Sequence, residues 1–260
     1  MPTIDQYAVI LYTLRDFVKT REETLRTFDK IAEIGYRSVQ VSGMSKDVMP
    51  AEDIAAELKQ RKIGICATHE SGDDILNHTD PVIERLKQLG TKNTAYPFPS
   101  GVDVYDPQSV RKWIGQLDEA GQKLKEAGLT LSYHNHHIEF LHIDGKTILD
   151  HIYEGTNPDH LKAELDTYWV QRGGGCILSW IAKMKGRMPV LHLKDFCLTA
   201  EKEPDFAEIG AGNMDFPSII RAAEESGCQH YVVEQDTCHG DPFDSIAQSF
   251  AYIKENLVTQ

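Results

Sequence analysis

His134, His136 and His137 fall within four positions of one another, and Glu139 follows, in the stretch "LSYHNHHIEF". Imidazole nitrogens and carboxylate oxygens are metal ligands, so the crowding has the chemistry of one corner of a metal site. The same residues also suit a polar loop whose rings face water or donate to backbone carbonyls. Three further groups of this kind stand downstream: Asp166 in "ELDTYW", His192 in "LHLKD" and Glu234 in "VVEQD". Any one of them has a plainer role as a helix cap or an ion-pair partner. Glu139, Asp166 and Glu234 brought to one place would cost several kcal/mol in repulsion and desolvation unless a cation compensated them. Three oxygens and one imidazole suit Mn²⁺ first, with Mg²⁺, Co²⁺ or Fe²⁺ as alternatives, rather than structural zinc.

Such residues act together only if the fold delivers them together. Short β-prone runs recur at 7–11, 38–41, 63–68, 93–96, 129–133, 161–165, 189–193 and 231–234. Between them lie stretches with apolar residues three and four apart, several opened by Asp-Pro and several closed by glycine at Gly35, Gly90, Gly128, Gly186 and Gly227. That is helix start and stop chemistry. Strands alternating with helices imply a parallel sheet, because each helix returns the chain. Eight units can close, and no G-x-G-x-x-G follows the first strand, so residues 1–260 are expected to form one α/β domain, a (β/α)₈ TIM barrel. In such barrels the active site lies at the C-terminal ends of the strands. Here those ends carry Tyr12, Ser42, His69-Glu70, Tyr96, the His134–Glu139 run, Asp166, His192 and Glu234.

Composition narrows the partners. Lys plus Arg number 27 against 40 Asp plus Glu, a formal net charge of −13. That balance disfavours nucleic acid and anionic lipid. Five cysteines with no CxxC pair read as reduced thiols of a cytoplasmic protein. No basic leader precedes an apolar core, and no apolar run approaches the length of a membrane span.

The segments "YHNHHIEF", "ELDTYW", "LHLKD", "IGAGNMDF" and "VVEQD", in that order, resemble the xylose-isomerase-like barrels of the sugar phosphate isomerase/epimerase superfamily. Tagatose 3-epimerase, hydroxypyruvate isomerase, inosose isomerase and dehydratase, and endonuclease IV belong there. The resemblance implies one divalent metal ion held by Glu, Asp, His and Glu. Asp166, His192 and Glu234 match three of these, and Glu139 is carried to the fourth. The tagatose-epimerase branch has its glutamate on strand 5 itself, where this chain reads Ser132-Tyr133-His134, so His134 or His136 could take its place. The resemblance further implies Glu139 and Glu234 as the catalytic acid–base pair acting through an enediolate. His69, His134, His136, Trp169 and Lys194 are then candidates for contacting a small sugar or cyclitol. Gly210-Ala211-Gly212 could lend amides to an anion, although a turn is the simpler reading. The implied activity is isomerisation or epimerisation of a keto-sugar or cyclitol. The alternative is a lyase or hydratase expelling water or a glycoside from a 3-keto substrate. A DNA-acting relative would need more strand-end ligands than His69-Glu70 and a less acidic surface. Homo-oligomers are common in the superfamily, but no face of this sequence declares an interface.

Overall fold

Along the first strand, Tyr7 and Val9 pack into the layer shared with the helices, whereas Ala8 and Ile10 join Cys66, Ala67, Val190 and Val232 in a separate small cluster inside the barrel. This is the two-residue period of an extended strand, with both faces covered. The computed structural model describes residues 1–259.

The barrel strands, numbered in chain order, are β1 (Tyr7–Ile10), β2 (Ser38–Val41), β3 (Gly64–His69), β4 (Asn93–Tyr96), β5 (Thr130–His134), β6 (Leu161–Asp166), β7 (Val190–Leu193) and β8 (His230–Val233). Neighbours in sequence pair in parallel, and β1 also pairs with β8, so the sheet closes. The expected (β/α)₈ TIM barrel is what forms. The returning helices are α1 (Arg21–Ile34), α2 (Ala51–Gln60), α3 (Gly72–Asn77), α4 (Thr79–Leu89), α5 (Pro107–Glu126), α6 (Ile148–Glu154), α7 (Thr167–Arg172), α8 (Ile177–Lys183), α9 (Phe216–Glu225) and α10 (Pro242–Asn256). Asp106, Asp215 and Asp241 cap α5, α9 and α10 through side-chain oxygens, each with proline in the first two helical positions. All five glycines expected to stop helices have positive φ.

Two antiparallel hairpins interrupt the βα pattern, and no periodicity in the sequence announces them. One pairs His142–Ile143 with Lys146–Thr147; the other pairs Asp195–Leu198 with Pro204–Ala207. The second is anchored by the Asp195 carboxylate. Its Oδ1 accepts from the amides of Phe196 (2.8 Å) and Met214 (3.2 Å), and its Oδ2 from those of Gly210 (2.9 Å) and Gly212 (3.0 Å). The amides of the Gly-Ala-Gly turn therefore bind an anion belonging to the chain itself. A Cβ on Gly212 would sit 2.5 Å from Asp195 Oδ1, which explains glycine there. Tyr96, at the end of β4, does not reach the strand-end cavity but is buried beside Trp113 and Tyr133. Among the described residues, no helix is long and apolar enough to cross a membrane.

Candidate metal centre

The strand period decides which polar side chains enter the barrel. Val232 belongs to the interior cluster of β8, so Glu234 and Asp236 follow it on the same face; Val190 does the same for His192 and Lys194 on β7. On β6 the inward pair is Glu164 and Asp166, and on β5 it is Ser132 and His134. Register then sets the levels: His134 lies opposite Glu164, and Asp166 opposite His192. Four residues from four consecutive strand ends, His134, Asp166, His192 and Glu234, place one ligand atom each within 4.8 Å of one another. All four are buried.

Asp166 divides its oxygens. Oδ1 accepts from the Trp169 amide at 2.8 Å and so caps α7, while the Asn135 side-chain carbonyl accepts from the Asp166 amide at 3.1 Å. Oδ2 is left facing the centre, 3.1 Å from Lys194 Nζ and 4.0 Å from His134 Nε2, with no aligned hydrogen bond among the described residues. Glu234 Oε2 accepts from His192 Nδ1 at 2.7 Å and lies 3.0 Å from Lys194 Nζ. The Lys194 ammonium also donates to Asp236 Oδ1 at 3.1 Å and lies 5.3 Å from the centre of the Trp169 ring. The strand ends that carry these groups are held by Thr167, whose hydroxyl donates to the Lys194 carbonyl at 2.8 Å and accepts from its amide at 2.9 Å.

Charge is conserved tightly in this space. Burial alone would depress His192, but the carboxylates of Glu164 and Glu234 reverse that and hold it at about 10. Burial likewise opposes the charge on Lys194, and Asp166, Glu234 and Asp236 more than restore it. Burial raises Asp166 to about 7 even with Lys194 beside it. Burial would raise Glu234 too, yet Lys194 and His192 bring it well below the usual carboxylate range. His134 is kept neutral by burial, at about 3. An ammonium and a protonated imidazole thus offset the acids. A divalent cation could do the same for the centre, taking the proton's place on His192. The donors fit such an ion: two imidazoles and two carboxylates, with Asp166 Oδ2 buried and lacking a hydrogen bond.

Glu139 is not brought to this group. It lies on a short 3₁₀ turn beyond β5, where its Oε1 accepts from the Tyr133 hydroxyl at 2.6 Å and its Oε2 from the His136 amide at 2.8 Å. The turn reverses the side chain beneath the loop, so Glu139 fixes the conformation of 134–139, and His134 stands at the strand end that was expected to need a carboxylate. Burial raises Glu139 to about 7 against the ordinary 4.5, despite its two donors. A carboxyl with a higher pKa folded than unfolded stabilises fully below about 4.5, and that contribution is lost as pH rises through about 7. Glu139→Gln cannot ionise. Between about pH 5 and pH 8 its stability should therefore improve relative to the wild type by on the order of 2–3 kcal/mol. Urea unfolding at the two pH values measures this, and a constant difference would contradict it.

Above the cluster opens a cavity of ≈ 530 Å³ whose lining includes Tyr12, Ser42, His69, Glu70, Phe98, His136 and Trp169, with His134, Glu234 and Asp236 at its floor. Its size is that of a small-molecule site. His136 meets Phe98 edge-on at 5.1 Å and Trp169 at 5.2 Å, and burial keeps it neutral. Of the expected contact residues, His69, His134, His136 and Trp169 line the cavity. Lys194 lies buried behind it. His137 stacks on Trp169 at 5.1 Å. Sequence reasoning missed Gln40, Glu164, Phe98 and Asp236. The alternation of the strands could have found two of them, since Glu164 and Asp236 stand two residues from Asp166 and Glu234.

A family profile described as xylose isomerase-like TIM barrel matches residues 28–256. Among solved structures, a sugar phosphate isomerase/epimerase from Parabacteroides distasonis ATCC 8503 superposes with a TM-score of 0.82 at 20% identity, covering 97% of this chain and 94% of that one. An L-ribulose 3-epimerase gives 0.75 at 14% identity over 96% and 94%. A probable 3-DHS dehydratase from Bacillus anthracis gives 0.74 at 10% identity over 96% and 98%. Identities this low carry the fold alone. No curated protein matches the sequence.

Proposed function

The chain belongs to the xylose isomerase-like TIM barrel family, and on that premise we propose that it is a divalent-metal-dependent isomerase or epimerase of an uncharged keto-sugar or cyclitol. The observation that carries the proposal is the convergence of His134, Asp166, His192 and Glu234 from four adjacent strand ends at the floor of the cavity. Manganese is the first choice of ion, and two imidazoles with two carboxylates also suit Fe²⁺ or Co²⁺. When bound, the ion supplies a Lewis acid that polarises the substrate carbonyl and stabilises the charge of an enediolate. Glu234 takes the α-proton as general base. Lys194 offsets part of the charge of the Asp166, Glu234 and Asp236 carboxylates. Glu234, once protonated, can return that proton to the neighbouring carbon, and His136, neutral at the cavity wall, is placed to hydrogen-bond the substrate. Trp169, Phe98 and Tyr12 offer apolar surfaces to the faces of a sugar ring.

The cavity lining also supports an uncharged substrate. It includes Glu70, Glu234 and Asp236 and no lysine or arginine. The nearby cations are engaged: Arg85 Nε lies 3.1 Å and Lys46 Nζ 3.2 Å from Glu70, and Arg15 donates to the Asp236 carbonyl at 2.8 Å. A phosphate would meet these carboxylates and, among the described lining residues, no lysine or arginine. In a panel of free and phosphorylated ketoses assayed with Mn²⁺, turnover is expected only with free sugars. A preference for the phosphate esters would refute that specificity.

One observation favours a second reading, elimination from a 3-keto-sugar. Of the carboxylates lining the cavity, Glu234 alone stands among the candidate ligands, the imidazoles His134 and His136 beside it are held neutral, and Glu139 is not in the lining. A carboxylate that takes the α-proton to form the enolate can deliver that same proton to the departing hydroxyl or glycoside oxygen, so elimination needs no second carboxylate. Product analysis separates the readings: an epimer or isomer of equal mass supports the first, loss of water or an alcohol the second.

A further inference from the structure

Beneath the four candidate ligands lies a second buried layer whose residues reach them from behind. Glu164 Oε1 is 2.6 Å from His69 Nε2, 3.0 Å from His192 Nε2 and 3.4 Å from His134 Nδ1. The Gln40 amide nitrogen donates to both Glu164 oxygens, at 3.1 and 3.2 Å, and its carbonyl lies 2.7 Å from His192 Nε2. Each histidine therefore shows one nitrogen to this layer and the other to the centre. For His192 the nitrogen at the centre is Nδ1, 2.7 Å from Glu234. For His134 it is Nε2, 4.0 Å from Asp166 Oδ2; its Nδ1 has no aligned hydrogen bond among the described residues, and the Glu164 carboxylate is the group it faces.

We propose that Glu164 is the positioning residue of the metal centre, one carboxylate that orients two ligand rings so that His134 presents Nε2 and His192 presents Nδ1 to the ion. The inference rests on the metal reading above. Carboxylates behind metal-bound histidines fix ring orientation and raise ligand basicity. Here a single glutamate serves two rings from different strands, because β5 and β6 place His134 and Glu164 opposite one another. The alternative, a second ion held by His69, His134, Glu164 and His192, fits less well. Both oxygens of Glu164 already face the Gln40 amide hydrogens, which a cation would have to displace. Gln40 thus holds Glu164 and receives His192 in one contact pair, and His69 closes the layer from β3.

The test uses the whole protein and Zn²⁺, a diamagnetic probe. Metal uptake is measured by competition with a chelator, and long-range ¹H–¹⁵N spectra of histidine-labelled protein identify the coordinating nitrogens. Wild type should take up one equivalent through His192 Nδ1 and His134 Nε2. Glu164→Gln should still take up one equivalent, with affinity about 10- to 100-fold lower and with the nitrogen assignment of one or both rings lost. Unchanged affinity and assignment in the variant would overturn the proposal. So would two equivalents in wild type falling to one in Glu164→Gln, which would make Glu164 a ligand. Should the variant fail to fold, the wild-type spectrum still decides: coordination through His192 Nε2 or His134 Nδ1 overturns the positioning role while leaving the metal reading intact. A wild type that takes up no metal removes both.

Discussion

Glu234→Gln is expected to lower kcat by about 10³-fold or more, measured at saturating metal, while the circular dichroism spectrum stays close to that of wild type. The amide keeps the volume of the side chain and an acceptor for His192, so the fold is kept, although Lys194 loses the charge of one buried partner and thermal stability falls. What it removes is the floor carboxylate that both lines the cavity and stands among the candidate ligands. Lys194 and His192 hold Glu234 ionised, well below the usual carboxylate range, so its unprotonated form is present at neutral pH. Because Glu234 is also a proposed ligand, metal affinity should fall as well. Saturating metal separates the two effects: a loss cured by added metal is a binding loss, and a loss that persists is the missing base. Near-normal kcat at saturation would remove Glu234 from the chemistry.

Asp166→Asn should weaken metal binding by at least about 100-fold, a loss no smaller than those seen when groups behind ligands are changed. Asparagine is chosen because Asp166 has two duties. Its Oδ1 caps α7 through the Trp169 amide, and asparagine caps as well as aspartate. Alanine would lose cap and ligand together and confuse the result. With the cap retained, the variant should fold normally and fail to hold the ion in equilibrium dialysis against Mn²⁺. Occupancy equal to wild type would show that Asp166 serves only as a cap and as a partner of Lys194.

Much of this arrangement is legible in the sequence because a parallel barrel has few degrees of freedom. Once eight strands and their glycine-stopped helices are recognised, the polar residues at strand ends are fixed in place, and Asp166, His192 and Glu234 follow. His134 and Glu139 show where that logic ends. Both lie near the end of β5, and strand counting alone does not say how the chain turns beyond it. The turn is settled by two buried hydrogen bonds, from Tyr133 and from the His136 amide, that hold Glu139 beneath the loop. Glu164 is the opposite case. Its position two residues before Asp166 assigns it to the barrel interior, but its role depends on Gln40 and on His69, which arrive from β2 and β3. Contacts between residues that far apart in sequence have no local signature. The hairpin anchored by Asp195 is hidden for a similar reason, since its carboxylate gathers amides from up to 19 residues away.

On the proposed function, a metal ion held at the strand ends serves to activate an α-proton of an uncharged keto-sugar. The most direct measurement is deuterium incorporation from D₂O into a panel of free ketoses and 3-keto-glucosides, with the purified protein assayed alongside for bound metal. Close to one equivalent of a divalent transition metal is expected, with deuterium at the α-carbon of at least one substrate, and both should be lost in Asp166→Asn. Deuterium exchange that continues after complete removal of metal, or metal bound normally in Asp166→Asn, would contradict the proposed function.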